Sequence, residues 1–202
     1  LSLGQEVAEL QEFDWIHKPV CVTTPPEWHL ETQAIPYFCP ASTDPHSKLS
    51  TLLAGTAEGE HSVTAKRDAI DEYGWRNFGE LWADHEAAYY DGPRPIISHY
   101  NNQFDSVYGG ILQLARTGDG AWFDLFDPLA RHVADIDVYH TQEDRAAYNG
   151  GLFWHTDHYS DAGTCTHRTY TAQNAKPGQN YGGGPSDEHS YTTGLLYHFY
   201  LT

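Results

Sequence analysis

Between residues 104 and 136 the chain carries apolar residues at helical spacing, interrupted once. Phe104, Val107, Tyr108, Ile111, Leu112 and Ala115 recur every three or four positions, and after Thr117-Gly118-Asp119-Gly120 the spacing resumes at Trp122, Phe126, Leu129, Val133 and Ile136. A stripe of this period is buried only if the chain coils into an α-helix and lays that face on a partner. The sequence therefore predicts helices over Asn102 to Thr117 and Ala121 to about Tyr139, with a C-cap glycine and turn between them. Pro128 sits inside the second, so that helix either kinks there or restarts with Asp127 as its cap.

Phe78, Leu81, Trp82, His85 and Tyr89 also share one helical face, which stops at Asp91-Gly92-Pro93. A further helix is expected from near Ser186, a good N-cap followed by Asp187 and Glu188 where the helix dipole favours negative charge, to Thr202. Leu1 to Leu53 reads differently: Pro19, Pro25, Pro26, Pro36, Pro40 and Pro45 punctuate it and predict extended segments and loops. Within it Pro25-Pro26-Glu27-Trp28 reads as a turn with Trp28 packed at the surface, and Ala54 to Ser62 reads as a loop.

The stretches NNQFDSVYGGILQLART and SDEHSYTTGLLYHFYLT share a layout of polar head, small residues, apolar body and terminal Thr. A helix that recurs with a polar start is what an α/α toroid predicts, because inner helices there converge their ends on one cavity. The expected class is mainly α. Residues 1–53 would be an extended linker or, as the family resemblance given below implies, the end of a preceding β-rich domain, and residues 54–202 an incomplete α/α toroid that the same resemblance makes a catalytic region. The lack of methionine and the apolar ending GLLYHFYLT add the expectation of a piece of a longer protein.

Charge narrows the function. The formal net charge is −17, which repels phosphate backbones and disfavours both nucleic acid and anionic membranes as partners. No apolar run approaches the roughly 20 residues of a transmembrane helix. With 14 Tyr, 8 Phe, 6 Trp and 13 His, the composition suits a carbohydrate, which offers an apolar ring face to stack on and a rim of hydroxyls to hydrogen-bond. Cys21, Cys39 and Cys165 leave at least one thiol unpaired, with a Cys21–Cys39 bridge open.

The densest chemistry lies in FWHTDHYSDAGTCTHR, Phe153 to Arg168, where His155, His158, His167 and Arg168 stand among Trp154 and Tyr159. Two other clusters accompany it. SHYNNQFD supplies His99, Tyr100, Asn101, Asn102, Gln103 and Asp105 at a helix start, and GGGPSDEHSY adds Glu188, His189 and Tyr191 to the first. Arg76, Asp84, His85 and Glu86 form a fourth group. Each has a plainer reading: His85 as a core histidine, Asn101, Gln103 and Asp105 as helix caps, Asp187 and Glu188 as dipole partners. A divalent metal on His155, His158 and His167 is a further option, although HxxH followed by CxH is loose for a zinc site.

The strings AKRDAIDEYGWRNFGELWADHE, SHYNNQFDSVYG, DIDVYHTQEDRAAYNGGLFWHTDHY, THRTY and GGGPSDEHSYTTGLLYHFYLT resemble the exo-rhamnogalacturonan lyase family of polysaccharide lyases. The resemblance implies an α/α toroid within an exported, multidomain protein, extracellular or periplasmic, that cleaves uronic-acid glycans of the rhamnogalacturonan or pectin type by β-elimination. Such a reaction needs a base for the C5 proton, an acid for the leaving oxygen and a donor set on the carboxylate. His155, His158, His167, His189 and Tyr191 are the candidates for proton transfer. Arg76, Arg168, Asn101 and Asn102 are candidates for the carboxylate, with His99, Tyr100, Trp154 and Glu188 also at the substrate. Two rivals stand beside it: a glycoside hydrolase using Asp157 with Glu188 or Asp105, and a non-catalytic carbohydrate-binding module.

Overall fold

The structure is a computed structural model that describes residues 24–74, 77–83, 96–100, 102–144, 146, 148–150, 153–155, 160–161, 184–186 and 190–202. The described chain is mainly helical. Its helices are α1 (Pro26–Thr32), α2 (Ser47–Ala57), α3 (Val63–Ile70), α4 (Ser106–Thr117), α5 (Ala121–His132) and α6 (Thr193–Leu201), and five short strands join them. β1 (Leu81–Ala83), β2 (Ile96–Tyr100) and β4 (Ser160–Asp161) form one antiparallel sheet in the order β1-β2-β4. β3 (Phe153–His155) and β5 (Gly184–Ser186) form another.

α4 and α5 build the core as their periodicity predicts. Val107, Ile111 and Leu114 of α4 are buried against Trp122, Leu125, Phe126 and Leu129 of α5, and Val133 completes the cluster. Gly118 adopts the left-handed conformation at φ 71° and donates its N–H to the Leu114 carbonyl, which ends α4 as a C-cap glycine should. The Asp119 carboxylate then accepts the Ala121 N–H at 3.0 Å and starts α5. The helices touch at Gly110, where an added Cβ would lie 1.8 Å from the Phe126 ring.

α5 runs unbroken through Pro128 to His132 and passes into a π-helical turn, Val133–Asp137. Asp127 caps no new helix. Its carboxylate instead binds Arg131 one turn on and lies 2.8 Å from His198 Nε2, clipping α6 to α5.

Three expectations are corrected. The stretch up to residue 53 is not merely extended, since Pro26–Thr32 and Ser47–Ala57 are helices and position 53 lies within the second. Ile35 and Phe38 pack on Ala115, and the buried Arg116 guanidinium donates to the Cys39 carbonyl and pairs with Asp44, so residues 35–44 are docked on α4, while residues 1–23 lie outside the described residues. Cys39 keeps a free thiol. The helix expected at Phe78 is absent over residues 77–83: Gly79 is left-handed at φ 103° with its backbone against the Pro128 carbonyl, and Leu81–Ala83 pairs with β2. Residues 84–95 lie outside the described residues. Ser186 does not start a helix either, because it pairs with Phe153 in β5 and α6 begins at Thr193.

A buried ionic cluster fixes the segment before β1. His132, with no exposed side-chain surface, places Nδ1 3.4 Å from Glu80 and Nε2 3.2 Å from Asp137. Nδ1 also lies 3.0 Å from the Phe78 carbonyl. Burial alone would depress the imidazole's pKa, but Asp137, Glu80 and the Phe78 carbonyl together raise it above the ordinary value.

Gly110→Ala is expected to cost about 1–3 kcal/mol of stability by overpacking, read as a lower urea midpoint. A folded-state pKa raised above the unfolded one gives a contribution that is complete below the unfolded pKa and lost as pH rises through the folded one. The stability gap between the native chain and His132→Gln is therefore expected to narrow as pH rises from 6 upward, which denaturant titrations at a series of pH values measure.

Candidate functional site

The polar starts of α4 and α6, far apart in sequence, meet in space. β2 leads through residue 101 into Asn102 and a 3₁₀ turn, Gln103–Asp105, and then into α4. β5 leads through residues 187–189 into Ser190–Thr192 and then α6. Asp105 caps α4 by accepting the Tyr108 N–H at 3.3 Å, and its two oxygens each lie 3.1 Å from the Gly194 nitrogen at the start of α6. An added Cβ at Gly194 would lie 2.3 Å from the Tyr108 nitrogen and 2.5 Å from Asp105 Oδ1, so glycine permits the approach.

Asn102 completes the junction from within. It is fully buried, accepts the Val107 N–H at 2.9 Å, and donates from Nδ2 to Asp105 at 3.2 Å and to the Tyr191 carbonyl at 3.1 Å. Its two amide hydrogens are thereby engaged. Asn102 is corrected from carboxylate holder to positioning residue: it has no donor left for a substrate. Asp105 is occupied in the same way: its oxygens accept the Tyr108 and Gly194 N–H groups and the Asn102 amide, so it serves here as a cap.

Asn102, Phe104 and Asp105 all take left-handed backbone, with φ of 58°, 60° and 56°. Such a conformation is rare for a bulky residue. Its result is that Phe104, expected on the apolar face of the helix, is instead 66% exposed. Its ring centroid lies 6.4 Å from that of the exposed Tyr191. The signal available in sequence was Asp105: with Asp105 as the cap, Phe104 precedes the helix and leaves its periodic stripe.

The strands bring the remaining candidate stretches together. In the β3–β5 register Trp154 pairs with Pro185 and His155 with Gly184, joining the histidine-rich stretch to the glycine-rich one. His99 and Tyr100 lie on β2, opposite Trp82 and Leu81 of β1, and β2 also pairs with β4. Arg76, Asn101, His158, His167, Arg168, Glu188 and His189 lie outside the described residues, as do Asp84, His85, Glu86 and Asp157. No metal-holding group of His, Cys, Asp and Glu occurs among the described residues, and the candidate ligands His158 and His167 are not among them.

Two other features stand apart. The His132–Glu80–Asp137 cluster is enclosed, with no side chain more than 1% exposed, and offers no access to a dissolved substrate. An apolar cavity of about 420 Å³ lies between α1, α4 and α6 with Trp28, His29, Tyr197 and Tyr200 on its wall, and none of the sequence-predicted site residues lines it.

Asp105→Ala removes a cap and leaves the buried Gly194 N–H without its acceptor, and is expected to cost about 2–4 kcal/mol. Asp105→Asn, which keeps an acceptor oxygen, is expected to cost less, with urea unfolding of both as the measurement. Compared with models of protein families, with curated proteins and with solved structures, the chain finds no match.

Proposed function

We propose that the chain acts on uronic-acid polysaccharide as a lyase, with its helices belonging to an α/α toroid and the junction of the α4 and α6 starts at the substrate. The observation that carries this reading is that junction: a buried Asn102–Asp105 pair holds two helix starts together and leaves an aromatic pair, Phe104 and Tyr191, in solvent. Convergent helix ends are what a toroid uses to line its cavity, and exposed rings suit sugar faces. The β3–β5 pairing adds support, since it joins the stretch containing His155, His158 and His167 to the one containing His189 and Tyr191.

In this reading, β-elimination proceeds by removal of the C5 proton, neutralisation of the carboxylate and protonation of the O4 leaving group. Histidine titrates near neutral pH and suits both proton transfers. His155, His158, His167 and His189 are the candidates. The carboxylate needs positive charge, which Arg76 and Arg168 would supply. The protein would work where such polymers occur, outside the cell or in the periplasm.

The test is to incubate the full-length protein with a panel of uronic-acid polymers and follow ultraviolet absorbance of the unsaturated uronide. On a responsive polymer, His155→Ala is expected to lower turnover about 10²-fold, the scale of a lost proton-transfer group, with the melting temperature unchanged. A saturated reducing end in place of the unsaturated product overturns the lyase reading in favour of hydrolysis.

A further inference from the structure

Packed interiors leave few voids larger than a water molecule, yet between α1, α4 and α6 the chain leaves an open cavity of about 420 Å³. That volume lies within the roughly 300–1,000 Å³ of small-molecule sites. Its floor is aliphatic, made by the buried Ile35, Ile111, Leu114 and Ala115, and its rim carries the exposed rings of Trp28 and Tyr200. None of the described residues that line it is Asp, Glu, Lys or Arg, in a chain whose formal net charge is −17.

His29 supplies the polar element of this wall. Its ring centroid lies 5.4 Å from that of Trp28 and 5.7 Å from that of Phe38. Nδ1 is buried with no hydrogen-bond partner among the described residues, whereas Nε2 is not enclosed in that way. Burial holds the imidazole's pKa below its ordinary value, so the ring is uncharged at neutral pH. An orphaned N–H is rarer in folded proteins than an orphaned acceptor, which places the ring's one proton on Nε2. There it is a donor that a ligand's acceptor can meet.

These features select the ligand. A charged group would leave water for a wall that offers it no counter-ion. A sugar would turn hydroxyls onto an aliphatic floor that cannot bond them, at a loss of about tenfold in affinity for each one left unpaired. An uncharged aromatic ring meets neither cost, because its faces suit the aliphatic floor and the rings of Trp28, Tyr197 and Tyr200. We infer that the cavity binds an uncharged aromatic molecule bearing one hydrogen-bond acceptor, which His29 Nε2 engages. The polysaccharide reading places none of its described residues on this wall, and neither assignment depends on the other.

The experiment titrates the full chain with acetophenone, ethylbenzene, benzoate and methyl galactoside by ligand-observed nuclear magnetic resonance. Acetophenone is expected to bind, with benzoate and methyl galactoside at least about tenfold weaker. Tyr200→Ala, at an exposed position, is expected to weaken acetophenone and ethylbenzene alike by about fivefold. His29→Phe keeps a ring beside Trp28 and Phe38 but removes the donor, and is expected to weaken acetophenone about fivefold and ethylbenzene less than about twofold. Circular dichroism of both variants is expected to match the native chain. Absence of acetophenone binding, benzoate or the galactoside binding as tightly, full affinity in Tyr200→Ala, or equal losses of the two probes in His29→Phe each overturn the assignment. A dimer in sedimentation that Tyr200→Ala dissociates makes the cavity an interface between copies of the chain, and overturns it as well.

Discussion

One carboxylate, that of Asp105, starts two helices. It accepts the Tyr108 N–H three residues along and the Gly194 N–H 89 residues along, so the first turns of α4 and α6 are satisfied by the same two oxygens. An uncapped first turn would leave amides without partners, and burial would make that expensive. The rest of the junction follows from this constraint. Asn102 has to lie beneath Asp105 to bind the Val107 N–H and the Tyr191 carbonyl, Gly194 has to lack a side chain, and the backbone between Asn102 and Asp105 has to turn left-handed, which sends Phe104 outward. The local strain is offset by the number of hydrogen bonds that close around it.

The same geometry orders the helices. With their starts pinned, α4 and α6 lie side by side, and the Tyr108 and Tyr197 rings meet at a tilt of 44° with centroids 5.3 Å apart. α5 packs on the other flank of α4, and the His198–Asp127 contact closes the triangle between α5 and α6. α6 nevertheless leaves Phe199 and Tyr200 largely in solvent. Its sequence is apolar all round, and among the described residues α4 and α5 cover only part of that circumference.

What was legible in the sequence was what local physics decides. The stripes of α4 and α5, the Gly118 cap and the resemblance between the two polar helix starts all describe single elements or pairs of elements. What was not legible depended on distant partners. Ser186, Asp187 and Glu188 carry every local sign of a helix start, yet Ser186 is held in a strand by Phe153. Leu81 falls at helical spacing from Phe78, but Gly79 packed on Pro128 and the pairing with β2 decide otherwise. The proline-rich stretch gave no hint that Arg116 would bind the Cys39 carbonyl and Asp44. At the site, an asparagine at a helix start reads as a ligand donor because sequence does not display burial, and Phe104 reads as core unless Asp105 is taken as the cap.

The double cap also separates two events in time. Asp105 meets Tyr108 within one turn of chain, so α4 and the α4–α5 hairpin assemble from contacts short in sequence, which form quickly. The same carboxylate meets Gly194 only after a loop of 89 residues closes, and the entropy of that closure has to be met before the contact returns anything. The aromatic pair is therefore the last feature of the junction to be assembled: Phe104 arrives with the first helix, and Tyr191 joins it only when the long loop shuts.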